Sequence, residues 1–144
     1  MKRVVAALAF GLALAAAGPA RAAGPDAPAG GRLRVVVQVD EKETAAWNLV
    51  LNNVRNVQKE VGAGNVDIEV VAFGPGLDML RDDSLVANRV QEAMAGGVRF
   101  VACRNTMQAE HLSDAEMVPG IGYVQAGVVE IIRKQAEGYS YLRP

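Results

Sequence analysis

From residue 33 onward the chain alternates two hydrophobic periodicities. Residues 33–39, Leu-Arg-Val-Val-Val-Gln-Val, are mostly apolar and β-branched, which predicts a strand covered on both faces. Trp47, Val50, Leu51, Val54, Val57 and Val61 then recur at helical spacing, with Thr44 placed to cap that helix and Gly62 to stop it. Residues 66–73 read as a second strand. Ser84 is placed to open a second helix carrying Val86, Val90, Ala93 and Met94 on one side, ended by Gly96-Gly97. A third strand is expected over 98–103, followed by a short helical stretch. Ser113-Asp114-Ala115-Glu116 matches a capping box, and Pro119-Gly120 turns the chain into a fourth strand over 121–124. The last helix spans 127–137, with Val128, Ile131 and Ile132 expected inward and Gly138 as its stop; residues 139–142 are expected to add an edge strand.

This alternation predicts one three-layer α/β/α domain over residues 32–144, built on a mainly parallel sheet of four to five strands. Parallel strands need crossovers, and right-handed crossovers place helices on the sheet faces. No internal repeat is visible. In such open sheets the ligand site lies beyond the carboxyl ends of the strands. Three segments converge there: residues 40–43 after the first strand, 74–76 after the second, and 103–107 after the third.

The amino-terminal residues carry a different signal. Met1-Lys2-Arg3 supplies positive charge, residues 4–17 are apolar apart from Gly11, and Ala20-Arg21-Ala22 is a small-x-small cleavage site. The run is shorter than the roughly 20 apolar residues that a spanning helix needs. The expectation is a signal peptide removed after Ala22, leaving a periplasmic or secreted product with no membrane insertion. Residues 23–31, rich in Ala, Gly and Pro, form a flexible lead-in with nothing to bury. Removing Lys2, Arg3 and Arg21 from the 15 basic residues leaves 12 against 16 acidic ones, a net charge of −4. That balance argues against a nucleic-acid partner, whose surface calls for clustered Lys and Arg.

Cys103 is the single cysteine, so no intramolecular disulfide forms and the fold must stand on its core. It falls where the third strand gives way to Arg104-Asn105-Thr106. A thiolate there is favoured by a neighbouring cation, which Arg104 supplies, or by the N–H groups of the Asn105-Thr106 turn. Two plainer readings stand beside this one: Cys103 as a buried structural thiol, and Asn105 or Thr106 as a helix cap. Gly74-Pro75-Gly76 lacks the features of a nucleotide loop and is read as a tight turn shaping the pocket. Asn48 lies in the first turn of the first helix, near the strand ends, and is scored as a binding residue. His111 with one Cys cannot make a four-ligand zinc site, so neither a metal nor an organic cofactor is expected.

Val-Ala-Cys103-Arg-Asn105-Thr106-Met107 is accompanied by Trp47-Asn48 and Asn52-Asn53 in the first helix, by Ala72-Phe73-Gly74-Pro75-Gly76, and by Gly127-Val-Val-Glu130-Ile-Ile-Arg133 running on to Tyr141-Leu-Arg-Pro144. In order and spacing these segments resemble the DsrE/DsrF-like sulfur-relay family, over essentially all of the chain after residue 22. The resemblance implies a three-layer domain that assembles into homotrimers or homohexamers, and a cysteine, corresponding to Cys103, that carries sulfane sulfur as a persulfide. The expected function is sulfur transfer in the periplasm, with Arg104, Asn105, Thr106, Asn48, Gly74 and Gly76 around Cys103. The alternatives are a non-catalytic module binding a small ligand or anion, and a structural oligomer.

Overall fold

The computed structural model describes residues 31–144. The expected signal peptide and nearly all of the lead-in lie outside the described residues. Five strands form one sheet: β1 (Leu33–Val39), β2 (Val66–Ala72), β3 (Arg99–Cys103), β4 (Gly122–Val124) and β5 (Ser140–Leu142). Their order across the sheet is β4-β3-β2-β1-β5, and every pairing is parallel. Four helices supply the crossovers: α1 (Thr44–Val61), α2 (Ala87–Ala95), α3 (Arg104–Ala109) and α4 (Gly127–Ala136). The chain is the three-layer α/β/α domain that its alternating pattern predicts.

Strand parity divides the core in two. Val37 and Val39 of β1, Ile68 and Val70 of β2, and Phe100 and Ala102 of β3 point to the side covered by α1, α2 and α3. There they meet Trp47, Val50, Leu51, Val54, Val90 and Met107 in one continuous cluster, which also takes in Leu77, Met79 and Leu80. The opposite side belongs to α4, and its apolar cluster is small: Val36, Val71, Val101 and Ile131, with Phe73, Val124 and Tyr139 packed against it. On the same side β2 places Glu69, 4% exposed. Arg99 Nε donates to Glu69 Oε2 at 3.1 Å, and Lys134 Nζ of α4 stands 3.8 Å from it. Glu69 Oε1 has no hydrogen-bond partner among the described residues.

Several local expectations are corrected. Thr44 is the first helical residue of α1; the cap is Glu43, in extended conformation, whose carbonyl accepts from the N–H of Ala46 and Trp47. Ser84 lies three residues ahead of α2 and orders the lead-in instead, its carbonyl accepting from Ala87 N–H at 3.0 Å. Gly74-Pro75-Gly76, read as a tight turn, opens a longer 3-10 segment, Gly74–Leu80, that buries Leu77, Met79 and Leu80. Of the three α4 residues expected inward, only Ile131 is buried; Val128 and Ile132 are 52% and 63% exposed. A single helix on that side can turn one stripe to the sheet, here Gly127 and Ile131, and Val128 and Ile132, four residues apart, share the flank beside it.

Candidate functional site

Cys103 ends β3, and its position follows from the register. Val101, two residues earlier, faces α4, so Cys103 faces α4 as well, opposite Val124 of β4. Two helices start at this point. Cys103 is itself the N-cap of α3, in extended conformation, so the first amides of α3 follow it directly. Gly127, the first residue of α4, donates its N–H to Cys103 Sγ at 3.3 Å. The thiol in turn lies 3.8 Å from the carbonyl of Gln125. Exposed N–H groups at helix starts favour negative charge.

The balance at the sulfur has opposing parts. Burial, with Cys103 5% exposed, pushes the thiol up. The Thr106 side chain and the N–H groups of Gly127, Thr106 and Asn105 favour the thiolate, and together they outweigh burial, so the thiol is held below its ordinary value. Of the two sources the sequence offered, the N–H groups of the Asn105-Thr106 turn take part, with the Thr106 side chain and the Gly127 N–H, and the side-chain cation does not lead. Arg104 is turned away: both terminal nitrogens of its guanidinium bond Asp114, and its Cζ stacks 3.8 Å from the Tyr123 ring centroid. Its charge is not among the leading causes of the shift at Cys103.

The remaining expected site residues separate into near and far. Thr106 does not cap α3; its Oγ1 accepts from Gly74 N–H at 2.9 Å and so ties the end of β2 to the first turn of α3. Gly74 adopts φ 52°, a left-handed conformation that suits glycine. Asn105 forms a two-way pair with Gln125, its N–H donating to the Gln125 carbonyl at 3.1 Å and its Oδ1 accepting from Gln125 Nε2 at 2.7 Å. Gly76 lies two strands away, where a Cβ would stand 2.3 Å from Val39 O, so it serves the packing of the 3-10 segment on the end of β1. Asn48 is the clearest correction. It lies in α1, on the other side of the sheet from the Cys103 side chain, and its Oδ1 accepts from Arg89 of α2 while Arg89 Nη2 also bonds Asn52 at 2.9 Å. Helix-surface position alone could not tell a pocket from an interhelix pair.

Sequence reasoning did not single out Gln125 or Gly127 as neighbours of the thiol. The signal available was the glycine opening the last helix, read only as a family landmark. Among the described residues no group of three or more His, Cys, Asp or Glu is placed to hold a metal ion. His111 takes φ 56° in an exposed turn after α3.

The chain is similar in structure to a protein of unknown function, MTH1491 from Methanobacterium thermoautotrophicum, at 39% identity and a TM-score of 0.74, covering 78% of this chain and 99% of that one. Two more distant likenesses, both 12% identical, share the fold: BT1422, a conserved protein of unknown function from Bacteroides thetaiotaomicron (TM-score 0.61, 77% of this chain and 94% of that one), and the ychN protein from E. coli (TM-score 0.62, 79% and 99%). No curated protein matches the chain. The model of the DsrE/DsrF-like family matches residues 6–144, and with the thiol after β3 set in a matching three-layer fold, the chain belongs to the DsrE/DsrF-like family.

Proposed function

We propose that this domain is a sulfur carrier in which Cys103 holds sulfane sulfur as a persulfide. The observation that carries the reading is the placing of Sγ at two helix starts, with the Gly127 N–H on the sulfur. In the first step the Cys103 thiolate attacks the outer sulfur of a donor persulfide. A new S–S bond forms at Cys103, the donor S–S bond breaks, and the donor leaves as a thiolate. In the second, an acceptor thiolate attacks the outer sulfur and Cys103 leaves as thiolate. Neither step changes the total oxidation state, so no metal or organic cofactor is called for. A thiol of pKa about 8.5 is only a few per cent ionised at neutral pH, and lowering it raises the reactive fraction.

The test is mass spectrometry after treatment with a low-molecular-weight persulfide or polysulfide. The wild type should gain one sulfur, about 32 Da, removable by reductant, and Cys103→Ser should gain nothing. Alkylation at neutral pH should run faster than for a free model thiol. A thiol that reacts only on unfolding would overturn the carrier reading. It would favour the second one, a non-catalytic module in which Cys103 lines the core, for which the 5% exposure of Cys103 speaks.

Two further parts of the proposal concern place and assembly. Export is supported by the charged, apolar and cleavage regions of residues 1–22, and intact mass of the exported protein, beginning at Ala23, checks it. Self-association into trimers or hexamers is supported by family membership and by the exposed Val128, Val129 and Ile132 of α4. Light scattering at micromolar concentration should give a multiple of the protomer mass; a clean monomer speaks against assembly.

A further inference from the structure

We propose that Gly127 and Phe73 are positioning residues for Cys103: Phe73 sets where α4 begins, and the missing side chain at 127 lets the first amide of that helix reach the sulfur. This rests on the reading of Cys103 as the reacting thiol, and the observations behind it are separate from the thiol itself. A Cβ on Gly127 would stand 2.9 Å from Phe73 Cδ1, 3.0 Å from its Cβ and 3.2 Å from its Cγ. The ring can swing, but the Phe73 Cβ is fixed to a backbone held on both sides. Phe73 N–H donates to Val39 O at 3.1 Å, and the next amide, of Gly74, donates to Thr106 Oγ1 at 2.9 Å.

Conformation is not the reason for glycine at 127. Gly127 is absent from the residues of positive φ, so alanine can adopt its backbone there without strain. What alanine lacks is room. Its methyl group meets Phe73 closer than ordinary van der Waals contact, so with the Phe73 Cβ held the first turn of α4 must shift. The amide that would shift with it is the one held 3.3 Å from Cys103 Sγ. Phe73 thus acts as a stop, and the distance from stop to sulfur is set by one Cβ-free residue.

Loosening a hydrogen bond to a charged group substantially should lower the thiolate fraction at pH 7 by about tenfold. The experiment is the pH profile of Cys103 alkylation in the wild type, Gly127→Ala, Phe73→Ala and the double variant. Gly127→Ala should move the profile to higher pH while circular dichroism stays native. Adding Phe73→Ala to it should bring the profile part of the way back toward the wild type, because the ring atoms at 2.9 and 3.2 Å are gone while the Cβ at 3.0 Å remains. A merely structural role would leave the profile in place or make the double variant worse than either single one, and either result overturns the inference. Should Gly127→Ala fail to fold, NMR on the wild type decides. The Gly127 amide resonance should titrate with the Cys103 thiol and stop doing so in Cys103→Ser; a Gly127 amide indifferent to the thiol would sink the proposal. If the amide tracks the thiol but no sulfur is carried, the carrier reading falls and the positioning stands. If sulfur is carried and the amide is indifferent, only the positioning falls.

Discussion

The two faces of the sheet are built on different principles. One is thick: three helices and a 3-10 segment close over an unbroken apolar cluster from Val37 to Phe100. The other is thin: one helix lays Ile131 over three buried valines of the sheet, and beside them lie a buried carboxylate and the single thiol. Both chemically active groups of the interior sit on the thin side. The thick face holds the fold, which leaves the thin face free to carry polar groups that a core of its size could hardly tolerate unaided.

Adjacent residues of β2 test that comparison most directly. Val70 and Val71 are both 0% exposed, are the same residue type and point to opposite faces. Truncation removes two methylene equivalents, about 1.5 kcal/mol of transfer free energy, and adds a cavity cost where neighbours cannot collapse. Val70→Ala should cost about 3 kcal/mol, and Val71→Ala, under a single helix free to settle inward, about 2 kcal/mol. Urea midpoints at constant m-value measure the gap; equal losses would mean that the thin face is packed as rigidly as the thick one.

The pH dependence of stability should sharpen the contrast. Glu69 is held above the usual carboxyl range, first by burial, against the pull of Lys134 and Arg99 and with a smaller push from Glu130. In the window between its unfolded and folded values the folded state binds the extra proton. Its contribution is therefore fully present below the unfolded value and is lost as pH rises through the folded one. Asp40, Asp114 and Glu116 are held low and act in the opposite sense, losing their contribution only at more acid pH. Melting temperature should thus fall as pH rises above the ordinary carboxyl range, and Glu69→Gln should flatten that part of the curve. An unchanged curve would place the ionised carboxylate at home in its site.

The smallest effect concerns Arg104. Because its guanidinium is taken up by Asp114 and the Tyr123 ring, Arg104→Ala should change the alkylation rate of Cys103 by less than about twofold. A tenfold loss would show that a cation, and not the backbone, holds the thiolate.

That reversal shows where sequence reading stops. The strands were legible because β-branched runs such as Val35-Val36-Val37 are bounded by turns, and α1 because Trp47 to Val61 keeps helical period over about four turns. Cys103 was legible as the end of a buried strand meeting polar residues. The direction in which Arg104 points was not, because Asp114 and Tyr123 reach it only after the chain has folded back. Asn48 failed for a related reason: strand parity sends Cys103 to one face, while α1 packs on the other. Val128 and Ile132 were drawn inward by their apolarity alone, whereas the number of helices on that face decides how many stripes can be buried. Gly127 was in plain view, but a glycine declares a need for space only once its neighbour is known.

At one border of the sheet, β5 pairs with β1 through three register positions, Val35 with Ser140, Val36 with Tyr141 and Val37 with Leu142. Side chains reinforce this short ladder: Tyr141 Oη donates to Gln38 Oε1 at 2.8 Å, and Arg143 reaches both Asp40 and Glu41. Should that strap peel away, the margin laid bare would be the seven-residue Leu-Arg-Val-Val-Val-Gln-Val of β1, rich in β-branched residues and carrying one charge. A segment of this kind templates cross-strand association between molecules. The polar fastenings of β5 therefore act as a guard against aggregation, and weakening them should show first in solubility over time rather than in the midpoint of unfolding.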